Sequence, residues 1–255
     1  MPGLATLTLN RPEKLNAISP QMHREIQDLC QSLKDDAETR VIIVTGAGRA
    51  FSAGADLGRR SPPGEEQAAP PLRAARSTLE ERVSASMGNR TSDALENLDQ
   101  VTIAAINGLA VGGAVAFLGC MDLRLAAESA WFSIPEIDLD IPMTWNSLPR
   151  FMRELGPART KELVMTCDRF TAPQALQWGF VNHVVPDSEL LDRSRALAAK
   201  LLAKDPLSLA VTKSTTNALA RLMVPAEATQ SDREYLLLAR QLADERARNA
   251  PKPAL

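Results

Sequence analysis

The 255-residue chain contains few of the side chains that bind transition metals or build disulfide frameworks. Its only histidines are His23 and His183, so the sequence predicts no His-rich metal site and we expect no bound metal. Its three cysteines, Cys30, Cys120 and Cys167, are odd in number, far apart and set among apolar residues. This distribution is typical of buried thiols in a reducing compartment, and we expect a cytoplasmic protein without disulfides.

Long apolar runs and an excess of basic charge are also missing. No apolar run approaches the ~18 residues of a membrane-spanning helix, and the chain enters a strand-like segment almost at once, so we expect neither a membrane span nor a signal peptide. The 29 Lys and Arg nearly balance the 31 Asp and Glu, and no basic stripe indicates nucleic-acid binding. The length predicts one large core domain, placed at residues 1–195, and a helical region at 196–255.

A glycine turn in the middle of the chain is the most informative segment. The run 101–106 is apolar and rich in β-branched residues, which predicts a strand buried on both faces. Asn107 and Gly108 end it, and Gly112 and Gly113 open a second apolar run to residue 121 that predicts a buried helix. Glycines at a helix start let an anionic oxygen approach backbone N–H groups that have no other partner.

A second glycine turn follows another predicted buried strand at 41–46. With this turn, the chain resembles the crotonase (enoyl-CoA hydratase/isomerase) superfamily in five segments, in family order and at family spacing: 9–17, 51–56, 107–113, 120–126 and 132–136. The resemblance implies an α/β fold, the crotonase-like ββα superhelix with a C-terminal helical region, in place of a doubly wound open sheet. Strands that alternate with helices independently predict parallel pairing.

The resemblance also implies an acyl-CoA substrate, with coenzyme A entering as part of that substrate and no separate cofactor. The backbone N–H groups of Ala55 and Gly113 would bind the thioester oxygen as an oxyanion hole; alternatively, the glycines of these turns only permit close packing. The acyl-CoA groove would include Lys14, Leu15, Ala17, Ala53, Gly54, Ala55, Asp56, Leu57, Leu109, Gly112, Gly113 and Trp145. Lys14 could equally be a solvated surface charge. Phe117 and Met143 also fall near acyl-lining positions, although core packing explains Phe117 equally well.

The acid–base residues decide the reaction. Hydratases of the resembled family use two glutamates, and the first of these positions is Ala116, which transfers no proton. The second position is Glu136, in an apolar setting that predicts a raised pKa. We therefore expect double-bond isomerisation with Glu136 as the single acid–base group. Hydration, thioester hydrolysis, C–C cleavage and a non-catalytic acyl-CoA binding protein remain alternatives.

The acidic residues after Glu136 alternate with apolar ones. If the segment is extended, Glu136, Asp138 and Asp140 share one face, with neighbours ~6.6 Å apart. One of them could then supply a second proton-transfer group. The alternative is a strand whose acidic face meets solvent or an arginine such as Arg150 or Arg153.

The remaining segments predict helices, a loop and an assembly. Ser19 with Pro20, Thr171 with Gln174, Asp187 and Asp205 are typical of helix starts. The Pro-rich stretch within 59–76 is either a surface loop or a lid over the acyl pocket. A last helix at about 227–248 carries an apolar stripe that needs a partner surface, and the resemblance implies a homotrimer or a dimer of trimers. Its flanking charges Arg246, Arg248 and Lys252 could reach a neighbour's CoA or stay solvated.

Overall fold

A computed structural model describes residues 1–58, 77–229 and 231–249. The candidate lid at 59–76 and Lys252 lie outside the described residues. The strands are β1 (Leu4–Leu9), β2 (Val41–Gly46), β3 (Ala50–Ser52), β4 (Val101–Ile106), β5 (Leu109–Val111), β6 (Leu123–Ala127), β7 (Trp131–Ser133), β8 (Phe170–Thr171) and β9 (His183–Val185).

The helices surround these strands. They are α1 (Pro20–Leu33), α2 (Thr78–Ala85), α3 (Met87–Glu96), α4 (Gly113–Leu118), α5 (Ser147–Thr166), α6 (Ala172–Gln177), α7 (Leu190–Leu202), α8 (Pro206–Met223) and α9 (Asp232–Asn249). Short 3-10 turns occupy Pro12–Lys14, Ile137–Leu139, Asp187–Glu189 and Ala226–Thr229. No helix within the described ranges is long and apolar enough to cross a membrane.

The strands form two sheets. One is parallel, in the order β1-β2-β4-β6-β9, and the other has the order β3-β5-β7-β8 with only β8 antiparallel to its neighbour. In each of the successive strand pairs β2/β3, β4/β5 and β6/β7, the first strand belongs to the larger sheet and the second to the smaller one. Every residue of β2 and β4 is buried, as expected for strands covered on both faces. The predicted ββα superhelix is confirmed.

Three of the four predicted helix starts are confirmed, because their capping side chains bond the first turn. Asp187 caps no helix: it begins a 3-10 turn, and its carboxylate accepts from the Ser129 N–H at 3.1 Å. Ser19 Oγ accepts from the Met22 N–H at 3.2 Å, and Asp205 Oδ2 accepts from the Ser208 N–H at 2.7 Å. Thr171 forms a reciprocal capping box with Gln174. These bonds satisfy backbone donors that a helix start leaves without intrahelical partners.

Two elements are shorter than predicted, and one cysteine is more exposed than predicted. Helix α4 ends at Leu118, before residue 121, because the chain turns to enter β6. The strand predicted from residue 180 begins at His183, because the N–H groups of Phe180 and Val181 donate to the Ala175 carbonyl at the end of α6. Cys30 and Cys120 are buried free thiols as expected, whereas Cys167 is half-buried.

The prediction of an extended acidic segment after Glu136 is wrong. The N–H groups of Leu139 and Ile141 both donate to the Glu136 carbonyl at 3.0 Å, which folds the segment into the 3-10 turn Ile137–Leu139. Asp140 takes a left-handed conformation with φ 56° and ends this turn. Glu136 is buried whereas Asp138 and Asp140 are exposed, so the three carboxylates share no face.

The expected arginine partners of this segment are also different. Arg150 and Arg153 bind Glu96 on α3, at 2.7 and 2.6 Å, and this buried cluster ties α3 to α5. Burial alone would raise the pKa of Glu96, but the charges of Arg150 and Arg153 hold that pKa below its usual value. Asp140 instead pairs at the surface with Arg246 of α9 at 3.3 Å.

The boundary predicted at residue 195 falls inside α7. Leu190 and Ala198 of this helix are both buried in the main core, so α7 packs as part of the superhelix. The helices that follow, α8 and α9, carry many exposed apolar side chains. The division into a core and a C-terminal helical region stays a prediction.

Candidate active site

The two glycine turns meet at the carboxyl ends of two neighbouring strands of the smaller sheet. Strands β3 and β5 are parallel neighbours, so the segments that leave their carboxyl ends lie side by side. Gly54 has φ +82°, and a Cβ on it would overlap the Val111 carbonyl oxygen and lie 3.2 Å from the Gly113 nitrogen. Glycine at this position is therefore required both by the left-handed backbone and by the contact between the turns.

Two backbone donors in these turns have no protein partner. The neighbouring N–H groups are used: Gly54 donates to Ser52 Oγ at 3.1 Å and Asp56 to the Ile18 carbonyl at 3.0 Å. Among the described residues, the N–H groups of Ala55 and Gly113 donate to no backbone or side-chain acceptor. Both residues line the same cavity.

The segment 11–18 braces the first of these turns. Arg11 Nη1 bonds Asp56 Oδ2 at 2.7 Å and the Ala17 carbonyl at 2.8 Å. The Arg11 hydrogen bond holds the pKa of Asp56 below its usual value, so Asp56 is a carboxylate at neutral pH. The Ala53 N–H donates to the Leu15 carbonyl at 2.8 Å. Leu15, Ala17 and Ala53 thus act through the backbone to fix the turn.

The cavity has a volume of about 430 Å³ and a mainly apolar wall. Its apolar lining comes from distant parts of the chain and includes Ile18, Ala85, Ile141, Met143, Trp145 and Leu236. Leu236 and Arg240 belong to α9, so the last helix closes one side of the cavity. A cavity of this kind suits an apolar chain that carries a few polar groups.

Glu136 is a buried carboxyl group on the cavity wall. Its side chain lies against the second glycine turn: a Cβ on Gly112, which has φ +54°, would lie 2.7 Å from Glu136 Oε1. Oε2 is buried and has no hydrogen-bond partner in the described part of the chain. Burial raises the pKa of Glu136 to about 7, because the charged form loses its hydration without a compensating cation. The carboxyl can therefore give and take a proton near neutral pH.

Ala116 lies in α4 and is fully buried, away from the cavity lining. Its methyl group packs in the main core and offers no proton. Glu136 is consequently the buried carboxyl group of the described cavity wall.

The indole of Trp145 forms part of the cavity wall. Trp145 and Asn146 both have left-handed backbones, φ 65° and 54°, which costs ~1–3 kcal/mol per residue unless the surroundings impose it. The Asn146 N–H donates to Asp232 Oδ2 on α9 at 2.8 Å, and Asn89 Nδ2 donates to the other oxygen of Asp232 at 2.7 Å. A side chain on Gly113 would collide with the indole ring. The C-terminal helix thus holds the tryptophan in place.

His23 of α1 is a polar group on the same wall that sequence reasoning missed. Only 6% of it is exposed, and its ring meets Trp145 edge-on with centroids 4.9 Å apart. Its Nδ1 lies 2.8 Å from Thr91 Oγ1 on α3. Burial lowers the pKa of His23 to about 4, so the imidazole is neutral at physiological pH. Its place on the apolar stripe of α1, with Ile26 and Cys30, was the signal available in the sequence.

The structure brings together some of the predicted site residues and separates others. Ala55, Asp56, Leu57, Gly113, Glu136, Trp145 and Met143 line the cavity. The others lie outside its lining: Lys14, Leu15, Ala17, Ala53, Gly54, Leu109, Gly112 and Phe117. Phe117 packs behind Trp145 with ring centroids 5.2 Å apart, and Leu109 pairs with Ala50 in the smaller sheet.

The comparisons with known proteins agree with this geometry. A family model described as enoyl-CoA hydratase/isomerase matches residues 2–248. The chain belongs to this family. The crotonyl-CoA hydratase of Syntrophomonas wolfei subsp. wolfei is 33% identical over 215 residues, which are 84% of this chain and 78% of that protein. The predicted membership of the crotonase superfamily is confirmed.

Solved structures of this family have the same fold. A probable enoyl-CoA hydratase from Mycobacterium thermoresistibile has a TM-score of 0.80 and 30% identity, over 95% of each chain. A monofunctional enoyl-CoA isomerase from M. smegmatis has a TM-score of 0.70 and 28% identity, over 86% of this chain and 90% of that one. Relatives of this hydratase/isomerase family therefore carry names of both reaction types.

Proposed function

We propose that this family member isomerises the double bond of an enoyl-CoA, with Glu136 as the single acid–base group. The observation that supports this most is the combination on one cavity wall: a buried carboxyl with a pKa of about 7 next to two unused backbone donors. Ala116, where the hydratases of the family carry their other glutamate, has no proton to give.

The N–H groups of Ala55 and Gly113 bind the thioester oxygen in this proposal. Removal of a proton next to the thioester makes an enolate, whose negative charge collects on that oxygen. Two donors already fixed by the turns stabilise this charge without reorganising, and each such donor is worth ~3 kcal/mol of barrier. The close contact of Gly54 with the second turn supports a fixed spacing between the donors.

The proton balance needs one group only. The Glu136 carboxylate takes a proton from the α carbon of a 3-enoyl-CoA, and the electron pair moves into a dienolate whose charge rests on the thioester oxygen. The same carboxyl then returns the proton to the γ carbon, which gives the 2-enoyl-CoA and restores the carboxylate. A pKa near 7 suits both steps at neutral pH.

Coenzyme A enters as part of the substrate, and the proposed chemistry needs no further cofactor. We place its pantetheine arm along the Asp56–Leu57 end of the first turn, which opens to solvent at the half-exposed Leu57. A homotrimer or a dimer of trimers is also part of the proposal. Exposed apolar residues on the last two helices support it: Leu207, Val211, Leu222, Met223 and Leu238.

Incubation with a 3-enoyl-CoA and a 2-enoyl-CoA, followed by absorbance and product mass, tests the reaction. We expect a double-bond shift without a change in mass, lost in Glu136→Gln and kept in Asp138→Asn, which removes an exposed carboxylate two residues away. Addition of water would identify a hydratase, and release of free CoA a hydrolase. Binding without turnover in the wild-type protein would identify an acyl-CoA binding protein.

A further inference from the structure

One nitrogen of the His23 imidazole has no hydrogen-bond partner among the described residues. His23 lines this cavity, yet the proposed isomerisation gives it no task. Its Nδ1 bonds Thr91 Oγ1 at 2.8 Å, and the described residues offer no hydrogen-bond partner to Nε2. The surrounding rings of Phe117 and Trp145 meet the imidazole edge-on and supply no hydrogen-bond acceptor or donor to it.

The bonds around Thr91 determine which nitrogen of His23 carries the proton. The Thr91 hydroxyl donates to the Met87 carbonyl one helical turn earlier, at 2.9 Å, so its only hydrogen is used. Gln27 Nε2 donates to the same hydroxyl oxygen at 2.7 Å. With that hydrogen on the Met87 carbonyl, Thr91 Oγ1 accepts from His23 and Nδ1 carries the imidazole hydrogen. In a neutral imidazole this leaves Nε2 as a hydrogen-bond acceptor.

An acceptor on an otherwise apolar wall selects among substrates. A substrate with a plain hydrocarbon chain would displace water from Nε2 and leave it unpaired, which costs binding free energy. A substrate with a hydroxyl group at this point would replace the water with a direct bond. Sites built to bond a hydroxyl discriminate against analogues that lack it.

We propose that His23 Nε2 accepts a hydrogen bond from a hydroxyl group on the acyl chain of the substrate, so that the enzyme prefers hydroxylated acyl-CoAs. This inference rests on the proposed function, because it assumes that the cavity binds the acyl group of an acyl-CoA. His23 is then a specificity-determining residue. It exchanges no proton with the reacting carbons.

Two substitutions separate the acceptor from the bond to Thr91. His23→Asn keeps an amide donor near the Nδ1 position and removes the atom at Nε2. His23→Gln extends an amide oxygen to about the Nε2 position and gives up the Nδ1 position. Calorimetry then measures the dissociation constants of a set of acyl-CoAs for the wild-type protein and both variants. The set consists of saturated acyl-CoAs of one chain length: the unsubstituted compound, and compounds that each carry one hydroxyl group at a different carbon.

We expect the wild-type protein and His23→Gln to bind one hydroxylated acyl-CoA about tenfold more tightly than its unsubstituted analogue, and His23→Asn to lose this preference. If every acyl-CoA binds but hydroxylation brings no preference, or if His23→Asn keeps the preference, the inference is wrong and the proposed function stands. If no acyl-CoA binds at all, the proposed function fails and the inference fails with it.

Nitrogen NMR of the wild-type protein tests the same point without a substitution. The chain has only two histidines, and His183 is exposed, which provides an internal reference. We expect His23 to show a proton on Nδ1 and none on Nε2, and its Nε2 resonance to shift with the hydroxylated acyl-CoA only. A proton on Nε2, or equal shifts with both ligands, would overturn the inference even if both variants failed to fold.

Discussion

Replacing Glu136 with glutamine should make the protein more stable at alkaline pH. Burial raises the pKa of Glu136 from 4.5 to about 7 in the folded protein. The folded state therefore holds this proton up to about pH 7, whereas the unfolded chain releases it near pH 4.5. The stability that the protonated carboxyl contributes is fully present below pH 4.5 and is lost as the pH rises through 7. Glutamine has nearly the same shape and never ionises.

The size of the effect follows from the pKa difference. Each pH unit between the two pKa values costs the wild-type protein about 1.4 kcal/mol relative to Glu136→Gln. The gap should reach about 3 kcal/mol at pH 8 and vanish below pH 4.5, apart from a constant offset for the amide. The assay is urea unfolding at fixed protein concentration from pH 4.5 to 8.5, with Asp138→Asn as the control for removing an exposed carboxylate.

The same titration controls turnover in the proposed reaction. Because the carboxylate is the base, kcat/KM for 3-enoyl-CoA should rise about tenfold per pH unit below 7 and level off above it. Above pH 7, Glu136→Gln should lower it by about 10²–10⁴-fold, and the gap should narrow below pH 7 as the wild-type carboxylate is protonated. A stability gap that does not change between pH 5 and pH 8, together with an activity profile that is flat through pH 7, would refute the assignment of a buried, proton-accepting carboxyl.

Other substitutions test the remaining parts of the site. Gly54→Ala should lower kcat about a hundredfold, because the new methyl separates the two turns at the left-handed position; an active variant would contradict the fixed spacing. Asp232→Ala should cost about 2 kcal/mol in urea unfolding and raise KM for acyl-CoA, because it unpairs the donors that hold the Trp145 wall. Glu96→Gln should cost about 3 kcal/mol, since it removes the buried counter-charge that Arg150 and Arg153 share; a loss under 1 kcal/mol would contradict a stabilising role for this cluster. Asp140→Asn should leave turnover unchanged and stability within ~0.5 kcal/mol, because its ion pair is at the surface; slower turnover would restore it as a proton-transfer group.

Local sequence patterns predicted the fold well because the strands and turns that they indicate depend mainly on neighbouring residues in the chain. The β-branched runs at 41–46 and 101–106 favour strands covered on both faces, and the glycines after them allow the tight turns that end those strands. Glu136 could be predicted from its motif and its apolar neighbours. The direction of its pKa shift also followed from those neighbours, because a carboxyl among aromatic and aliphatic residues loses hydration.

Features that depend on distant residues could not be predicted. The acidic alternation after Glu136 fitted a strand, but a single carbonyl accepts two later N–H groups and turns the chain instead. Asp232 and Asn146 have no local signal, because each is defined by a partner far away in sequence. His23 lies on the apolar face of α1, where a buried histidine is usually part of the core. Only its contact with the Thr91 hydroxyl, which the sequence does not show, indicates which ring nitrogen has no partner.

The anchoring of Trp145 by α9 means that two distant parts of one chain build the cavity. The superhelix supplies the turns and the carboxyl, whereas Asp232 and Leu236, about a hundred residues beyond that carboxyl, fix the Trp145 segment and line the cavity. Exchange of α9 with a relative's last helix should therefore transfer acyl-chain preference while the chemistry stays the same. In the proposed reaction, the C-terminal helix is then a place where substitutions change the substrate and leave the chemistry as it is.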